Sequence, residues 1–479
     1  MTAPLDRLLP LPLHAELGAG SLTLSPHTRI TAIGLDVSSP TIGHLVADVQ
    51  RACGLHLSRG GEPVLGDIRL QLEPTATEHG AEGYELTVDD GGVHLTAATE
   101  HGLWNATRTL VQLFPHEPGG TTLPLVHILD RPRFEWRGAM LDVARHFFNV
   151  DQVLRFVELI ARFKLNRLHL HLSDDQGWRL AVDDWPTLTT IGGNSSVGGG
   201  FGGHFSRADY REIVAHAARH FVTVVPEIDM PGHTNAALTS VPALNPDGIC
   251  PPPYTDKGVG FSSLSLTAPA TRRFIADVIR QLAEDTSGEY LHIGGDEAHS
   301  TDHTQYLEFI ALLQREVLAN GKRMVGWEEI AGAPLDGTSL VQHWIRPEVA
   351  ALAAAPVRFV MSPAPHTYLD MKHTPECPVG RRWAGFIDVD TAYGWDPAAV
   401  IGDVGDVRIA GVEAPLWTEK VVTFDQIEYL CFPRLACLGE VGWTAQHLRG
   451  WDGFRPRLAV NTDRLATIGV QVFRSSLLD

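Results

Sequence analysis

Residues 289–297 read EYLHIGGDE. The short run 290–293 is mostly apolar and fits a buried parallel strand, after which two glycines let the backbone turn tightly. Two carboxylates, Asp296 and Glu297, follow side by side at the strand's end. Neighbouring acids repel, which drives their ionisation apart and suits a site needing one proton donor and one anion. An isolated pair of this kind also reads as a solvated acidic turn, so its companions along the chain decide.

Working outward, strand-like and helix-like segments alternate from Gly138 onward. Eight strand candidates fall at 139–143, 167–172, 222–228, 290–293, 323–326, 340–343, 357–361 and 409–412. Helical periodicity is clearest at 150–163, 208–220, 269–283 and 304–318, with a final helix expected at 424–438 and a short closing segment after it. Eight alternations within about 300 residues predict an α/β fold, a (β/α)8 TIM barrel whose site lies at the C-terminal ends of the strands. The order of residue types agrees. Arg145 and His146 follow the first strand, Asp174 and Asp175 the second, and Glu227, Asp229 and His233 come with the third. Trp327 and Glu328 follow the fifth, Trp344 the sixth, Tyr368 and Asp370 the seventh, and Trp417 and Glu419 the eighth.

Residues 1–131 form a separate small α+β domain with a partly antiparallel sheet, and 132–479 the barrel. Strands at 68–72, 84–88 and 93–97 and helices at 41–53 and 103–113 mark the first unit, and the DRPR stretch at 130–133 ends it. A chain of 479 residues, 44% hydrophobic and 20% charged, with 46 Gly and 31 Pro, is globular and long enough for a sizeable core. Its 38 basic and 57 acidic residues leave a formal charge of −19, which opposes nucleic acid or an anionic membrane as partner. Five cysteines without a CxxC spacing read as free structural thiols. The N-terminal stretch lacks the layout of a signal peptide and no segment has transmembrane length, so a cytoplasmic location is expected.

Carboxylates, one arginine, a tyrosine and several tryptophans surround the expected site, without a nucleophilic Ser or Cys motif, a P-loop or a dinucleotide fingerprint. Aromatic faces pack on sugar C–H faces, and charged groups bind hydroxyls. That inventory suggests carbohydrate. The stretches AMLDVARHFF (139–148), LHLHLSDDQGWR (168–179), PEIDMPGHTNAAL (226–238), HIGGDE (292–297), GWEE (326–329), YLDMK (368–372) and GVEAPLWTE (411–419) resemble, in order, the β-N-acetylhexosaminidases of glycoside hydrolase family 20. The resemblance implies retaining exo-hydrolysis of terminal β-linked N-acetylglucosamine or N-acetylgalactosamine without any cofactor. The nucleophile would be the substrate's own acetamido oxygen, the exception to the two-carboxylate scheme. It further implies Glu297 as acid/base, Asp296 as acceptor of the acetamido N–H, and Tyr368 as donor to the acetamido oxygen. Asp174 and His233 would form a network with the acid/base. Arg145, Asp370 and Glu419 would hold hydroxyls, Trp327, Trp344 and Trp417 would wall the ring, and Trp383 would stack on the next sugar.

Two other readings fit the same residues. His169 and His171 make an HxH on one face of a strand, which suits either a metal-dependent hydrolase or packed core groups. A sugar-binding protein without turnover would retain the same pocket.

Overall fold

The computed structural model describes residues 4–115, 119–353, 357–402 and 405–479. Eight parallel strands close into a barrel, each paired with its neighbours in sequence. They are Trp136–Asp142 (β1), Arg167–His171 (β2), Thr223–Glu227 (β3), Tyr290–His292 (β4), Arg323–Trp327 (β5), Leu340–His343 (β6), Arg358–Met361 (β7) and Ile409–Leu416 (β8). All eight coincide with the sequence-derived candidates to within a few residues.

Alternate residues of a strand face opposite sides, and here the two sides differ in chemistry. Leu168, Leu170 and Val224 point outward into the large core beneath the helices. Inward, Trp136, Val225, Tyr290, Val325, Leu340, Val360 and Ala410 form an apolar plug. Two residues further along, β3, β4, β5 and β6 carry Glu227, His292, Trp327 and Gln342, all buried. Polarity therefore begins inside the barrel, below the rim.

Two of the surrounding helices begin where the sequence supplies a reciprocal cap. Asn149 and Gln152 form a reciprocal capping box at Val150–Ala161 (α1), and Ser206 and Asp209 do the same at Arg207–Arg219 (α2). The next two, Thr271–Asp285 (α3) and His303–Ala319 (α4), complete the regular part.

The C-terminal region differs from expectation. One helix over 424–438 is replaced by Phe424–Cys431 (α5) and Arg434–Trp443 (α6), because Phe432, preceding Pro433, is extended (φ −111°, ψ 132°). A further helix, Trp451–Thr467 (α7), follows in place of a short closing segment. Gly453 and Pro456 obscure it, yet its buried residues Phe454, Arg457, Leu458, Asn461, Thr462 and Leu465 keep helical spacing. It packs on the start of the chain, where Arg457 donates to the Leu8 carbonyl at 2.9 Å.

The small domain is a seven-stranded mixed sheet in the order His14–Thr23, Thr122–Asp130, Tyr84–Asp89, Gly92–Ala97, Ile68–Leu72, Arg29–Ile33 and Ser58–Arg59. Helices Pro40–Cys53 and Glu100–Leu113 pack against it. Trp443 of α6 joins its core, donating through Nε1 to Asp130 at 2.9 Å. No helix among the described residues is long and apolar enough to cross a membrane.

Candidate active site

A cavity of about 340 Å³ opens at the C-terminal ends of the barrel strands, lined by Arg145, His233, Asp296, Glu297, Trp327, Trp344, Tyr368, Asp370, Trp383, Trp417 and Glu419. Eleven of the twelve residues singled out above thus share one wall, and the twelfth, Asp174, lies just behind Arg145 and His233. Lys257, Val259, Ile345 and Arg381 also line it, and sequence reasoning missed all four. Arg381 ion-pairs with Glu419. Its position two residues before Trp383 was the one available clue, whereas Lys257 sits in a loop with no periodicity to place it.

The glycine turn after β4 is dictated sterically. Gly294 (φ 67°) and Gly295 (φ 96°) adopt left-handed backbone, and a Cβ on Gly294 would lie 1.8 Å from Asp229 Oδ1. Asp229 Oδ1 accepts from the Gly295 amide at 3.0 Å, which fixes the carboxyl beside Asp296. His233 (φ 55°) and Glu297 (φ 44°) are also left-handed without being glycine. Such backbone costs on the order of 1–3 kcal/mol per residue and persists where the surroundings enforce it.

A chain of charge runs up the barrel axis. Trp136 Nε1 donates to Glu413 at 2.9 Å, and Glu413 meets His169 Nδ1 at 2.7 Å. His169 Nε2 lies 3.0 Å from Glu227, which also contacts His171 Nδ1, and His171 Nε2 reaches Asp174 at 2.9 Å. Burial disfavours charge on both imidazoles, but Glu413 and Glu227 raise His169 to about 9, and Glu227 with Asp174 raises His171 to about 10. With both nitrogens of each ring engaged by carboxylates, the HxH offers no lone pair to a metal. Of the HxH readings, the packed core group is the one the geometry supports.

At the top of this chain Asp174 binds Arg145 Nη2 at 2.6 Å and His233 Nδ1 at 3.2 Å. Burial pushes the Asp174 carboxyl up, but Arg145 and His233 outweigh it and hold it well below the usual range. His233 Nε2 lies 3.5 Å from Glu297 and 3.7 Å from Asp296. Its own burial is overridden by Asp174 and Asp296, so the imidazole holds its proton far more tightly than usual.

The two adjacent acids diverge, in a direction the sequence did not give. Burial raises Asp296 despite the His233 charge, whereas at Glu297 burial is outweighed by the neighbouring His233, which lowers it. Asp229 is raised well above the carboxylate range by burial and by the neighbouring Asp296 charge.

Aromatic rings shape the rest. Trp327 is held by Nε1 donating to Glu227 at 2.9 Å and lies 5.7 Å from Trp417, between centroids. Trp383 stands edge-on to Tyr368 at 5.5 Å and to Trp344 at 6.2 Å. Glu328 accepts from the amides of Trp344, Ile345 and Arg346, fixing the loop that carries Trp344. Asp175 takes the Asn235 amide at 3.0 Å. These two acids, with Glu227, serve the frame of the site. Tyr368 is kept protonated by burial and by the charges of Asp296 and Asp370.

The cavity wall is polar and unsatisfied. Arg145 Nε, His233 Nε2, Asp296 Oδ1, both Asp370 carboxyl oxygens and Glu419 Oε2 are buried without a hydrogen-bond partner within the protein. Each such group costs roughly 1–3 kcal/mol if left so. Their convergence on one space fits a ligand rich in hydroxyls and amide groups, and the cavity's size is at the small end of ligand pockets, room for one monosaccharide.

Comparison with known proteins agrees. The model of the glycosyl hydrolase family 20 catalytic domain matches residues 134–446, and that of the family's domain 2 matches residues 6–131. A β-N-acetylhexosaminidase of Cellulomonas fimi is 40% identical over 94% of this chain and 92% of its own length. The solved family 20 β-N-acetylhexosaminidase of Streptomyces coelicolor A3(2) superposes with a TM-score of 0.95 at 42% identity, covering 99% of this chain and 98% of that one. A mutant Streptomyces plicatus β-hexosaminidase in complex with product (GlcNAc) gives a TM-score of 0.94 at 42% identity, with 99% and 98% covered.

Proposed function

The chain belongs to glycosyl hydrolase family 20 and hydrolyses β-N-acetylhexosaminides, and from that premise we propose how its cavity residues divide the work of a retaining, substrate-assisted reaction. A terminal N-acetylglucosamine or N-acetylgalactosamine enters with its non-reducing end against Arg145, Asp370 and Glu419. The C4 epimers differ in one hydroxyl contact, so both fit the same frame. Trp327, Trp344 and Trp417 wall the ring and the acetamido group, and Trp383, half exposed at the rim, stacks on the leaving sugar.

In the first step the acetamido oxygen forms a bond to the anomeric carbon while the glycosidic C–O bond breaks. Glu297 gives its proton to the departing oxygen. Asp296 accepts the acetamido N–H, so the positive charge of the oxazolinium ring develops beside a carboxylate, and Tyr368 donates to the attacking oxygen and orients it. In the second step Glu297 takes a proton from water, which opens the ring at the anomeric carbon and returns the β-configuration. Glu297 is ionised in the free site while His233, 3.5 Å away, carries the proton. A bound sugar excludes water from this charged pair and favours its neutral form, which places the proton on Glu297, where the first step needs it.

The observation that carries this reading is the location of Asp296, buried, unpartnered at Oδ1 and sharing the cavity with Tyr368 and Glu297. The decisive experiment compares p-nitrophenyl β-N-acetylglucosaminide with the β-glucoside, which lacks the N-acyl arm. Intramolecular attack supplies an effective concentration of at least ~10⁵ M, so the glucoside should react more slowly by about 10⁴-fold or more. Equal rates would eliminate the substrate as the source of the nucleophile.

A pH consequence follows from the Asp296 shift. Charge stabilisation requires its anion, and burial raises its pKa above the ordinary 3.8. Activity therefore falls as pH drops through a value higher than an exposed aspartate would give. The acidic limb of kcat/KM measures it; a limb at or below 3.8 would contradict the assignment.

A further inference from the structure

Among the described residues, four groups bring three potential metal-ligating side chains together. Three involve the barrel axis and the catalytic acids, where the carboxylates and imidazoles are already engaged with one another. The fourth, Glu158, His216 and His220, lies on the outer face of the barrel beside the small domain and takes no part in the reaction above.

His216 and His220 are four residues apart at the end of α2, so both rings leave the same side of the helix. Helix α1, packed alongside, presents Glu158 to them. One ligand atom from each of the three lies within 4.8 Å of the others. His216 Nε2 is buried without a hydrogen-bond partner and stands 3.5 Å from Glu158 Oε1. Donor atoms around a tetrahedral zinc ion at 2.0–2.1 Å are about 3.3–3.4 Å apart, so this pair is already near ligand spacing. His220 Nδ1 donates to the His216 carbonyl at 3.0 Å. That bond fixes the tautomer and leaves Nε2 as the free lone pair, the arrangement by which backbone carbonyls orient metal-binding histidines.

His44 of the small domain lies 4.4 Å from the His220 ring, tilted by 52°, and Trp104 meets both edge-on at 5.3 and 5.8 Å. His220 is thus held from the small-domain side, while Glu158, more than half exposed, leaves the solvent side open to a water as fourth ligand. Arg219 donates to His216 Nδ1 at 3.3 Å; being exposed, it can swing away when Nδ1 takes up the proton that the metal displaces from Nε2.

We propose that Glu158, His216 and His220 form a binding site for a divalent transition-metal cation, zinc(II) foremost, at the seam between the barrel and the small domain. Two imidazole nitrogens and one carboxylate oxygen suit zinc, cobalt(II) or nickel(II) better than calcium or magnesium. The site is structural, because none of its residues reaches the cavity.

The test is equilibrium dialysis of the metal-free full chain against zinc, with His216→Asn and Glu158→Gln beside the unaltered protein. The expected result is one zinc per chain that both variants bind at least about tenfold more weakly, the scale of a lost ligand or its support. Zinc should raise the thermal midpoint of the unaltered chain only, and hydrolysis of p-nitrophenyl β-N-acetylglucosaminide in metal-free buffer should be the same in all three. Identical zinc affinity in the unaltered chain and both variants would overturn the proposal. So would zinc binding that survives in them but disappears in Asp296→Asn, since the ion would then belong to the catalytic acids. Should His216→Asn fold poorly, the exposed Glu158→Gln still decides.

Discussion

Glu297→Gln is expected to lower turnover of p-nitrophenyl β-N-acetylglucosaminide by at least ~10²-fold, the usual scale for a lost general acid and base. Glutamine preserves the volume but can neither give nor take a proton. The loss should grow as the leaving group becomes more basic, because a good leaving group departs without protonation whereas a sugar alkoxide does not. Azide gives a second check. It attacks the oxazolinium ring without needing a base, so it should restore part of the rate on a substrate with an activated leaving group. A variant with near-normal turnover of a disaccharide would remove Glu297 from its role.

Asp296→Ala should cut kcat by roughly 10²–10³-fold, comparable with removing a preorganised electrostatic group in other hydrolases. The substrate in its ground state carries no positive charge, so affinity for the N-acetylglucosamine product should change far less than kcat. Asp229 would lose the neighbouring charge that, with burial, holds its carboxyl above the usual range. Measuring kcat together with product affinity separates the two effects. A variant that lost affinity while keeping kcat would make Asp296 a binding group and leave the oxazolinium without its counter-charge.

The fold was legible because strand and helix periods are local. The run before Gly294, the HxH strand and the GWEE strand each announce themselves by apolar spacing, and a polar group after every strand is what a barrel rim requires. Helix α7 was missed for an equally local reason, since Gly453 and Pro456 suppress helix propensity and only packing against the start of the chain overrides it. Lys257 and Arg381 reach the cavity from loops whose paths no periodicity encodes.

The sequence by itself determined the barrel, the rim and the pair of acids at 296 and 297, because strand alternation and a glycine turn place side chains by geometry within a few residues. Which acid rests ionised was decided only by tertiary structure. His233, brought by the loop after β3, stands beside Glu297, while Asp229 from the same loop stands beside Asp296. A proton's location depends on charges and burial within several ångströms in space, and residues 60 or more positions apart supply them here.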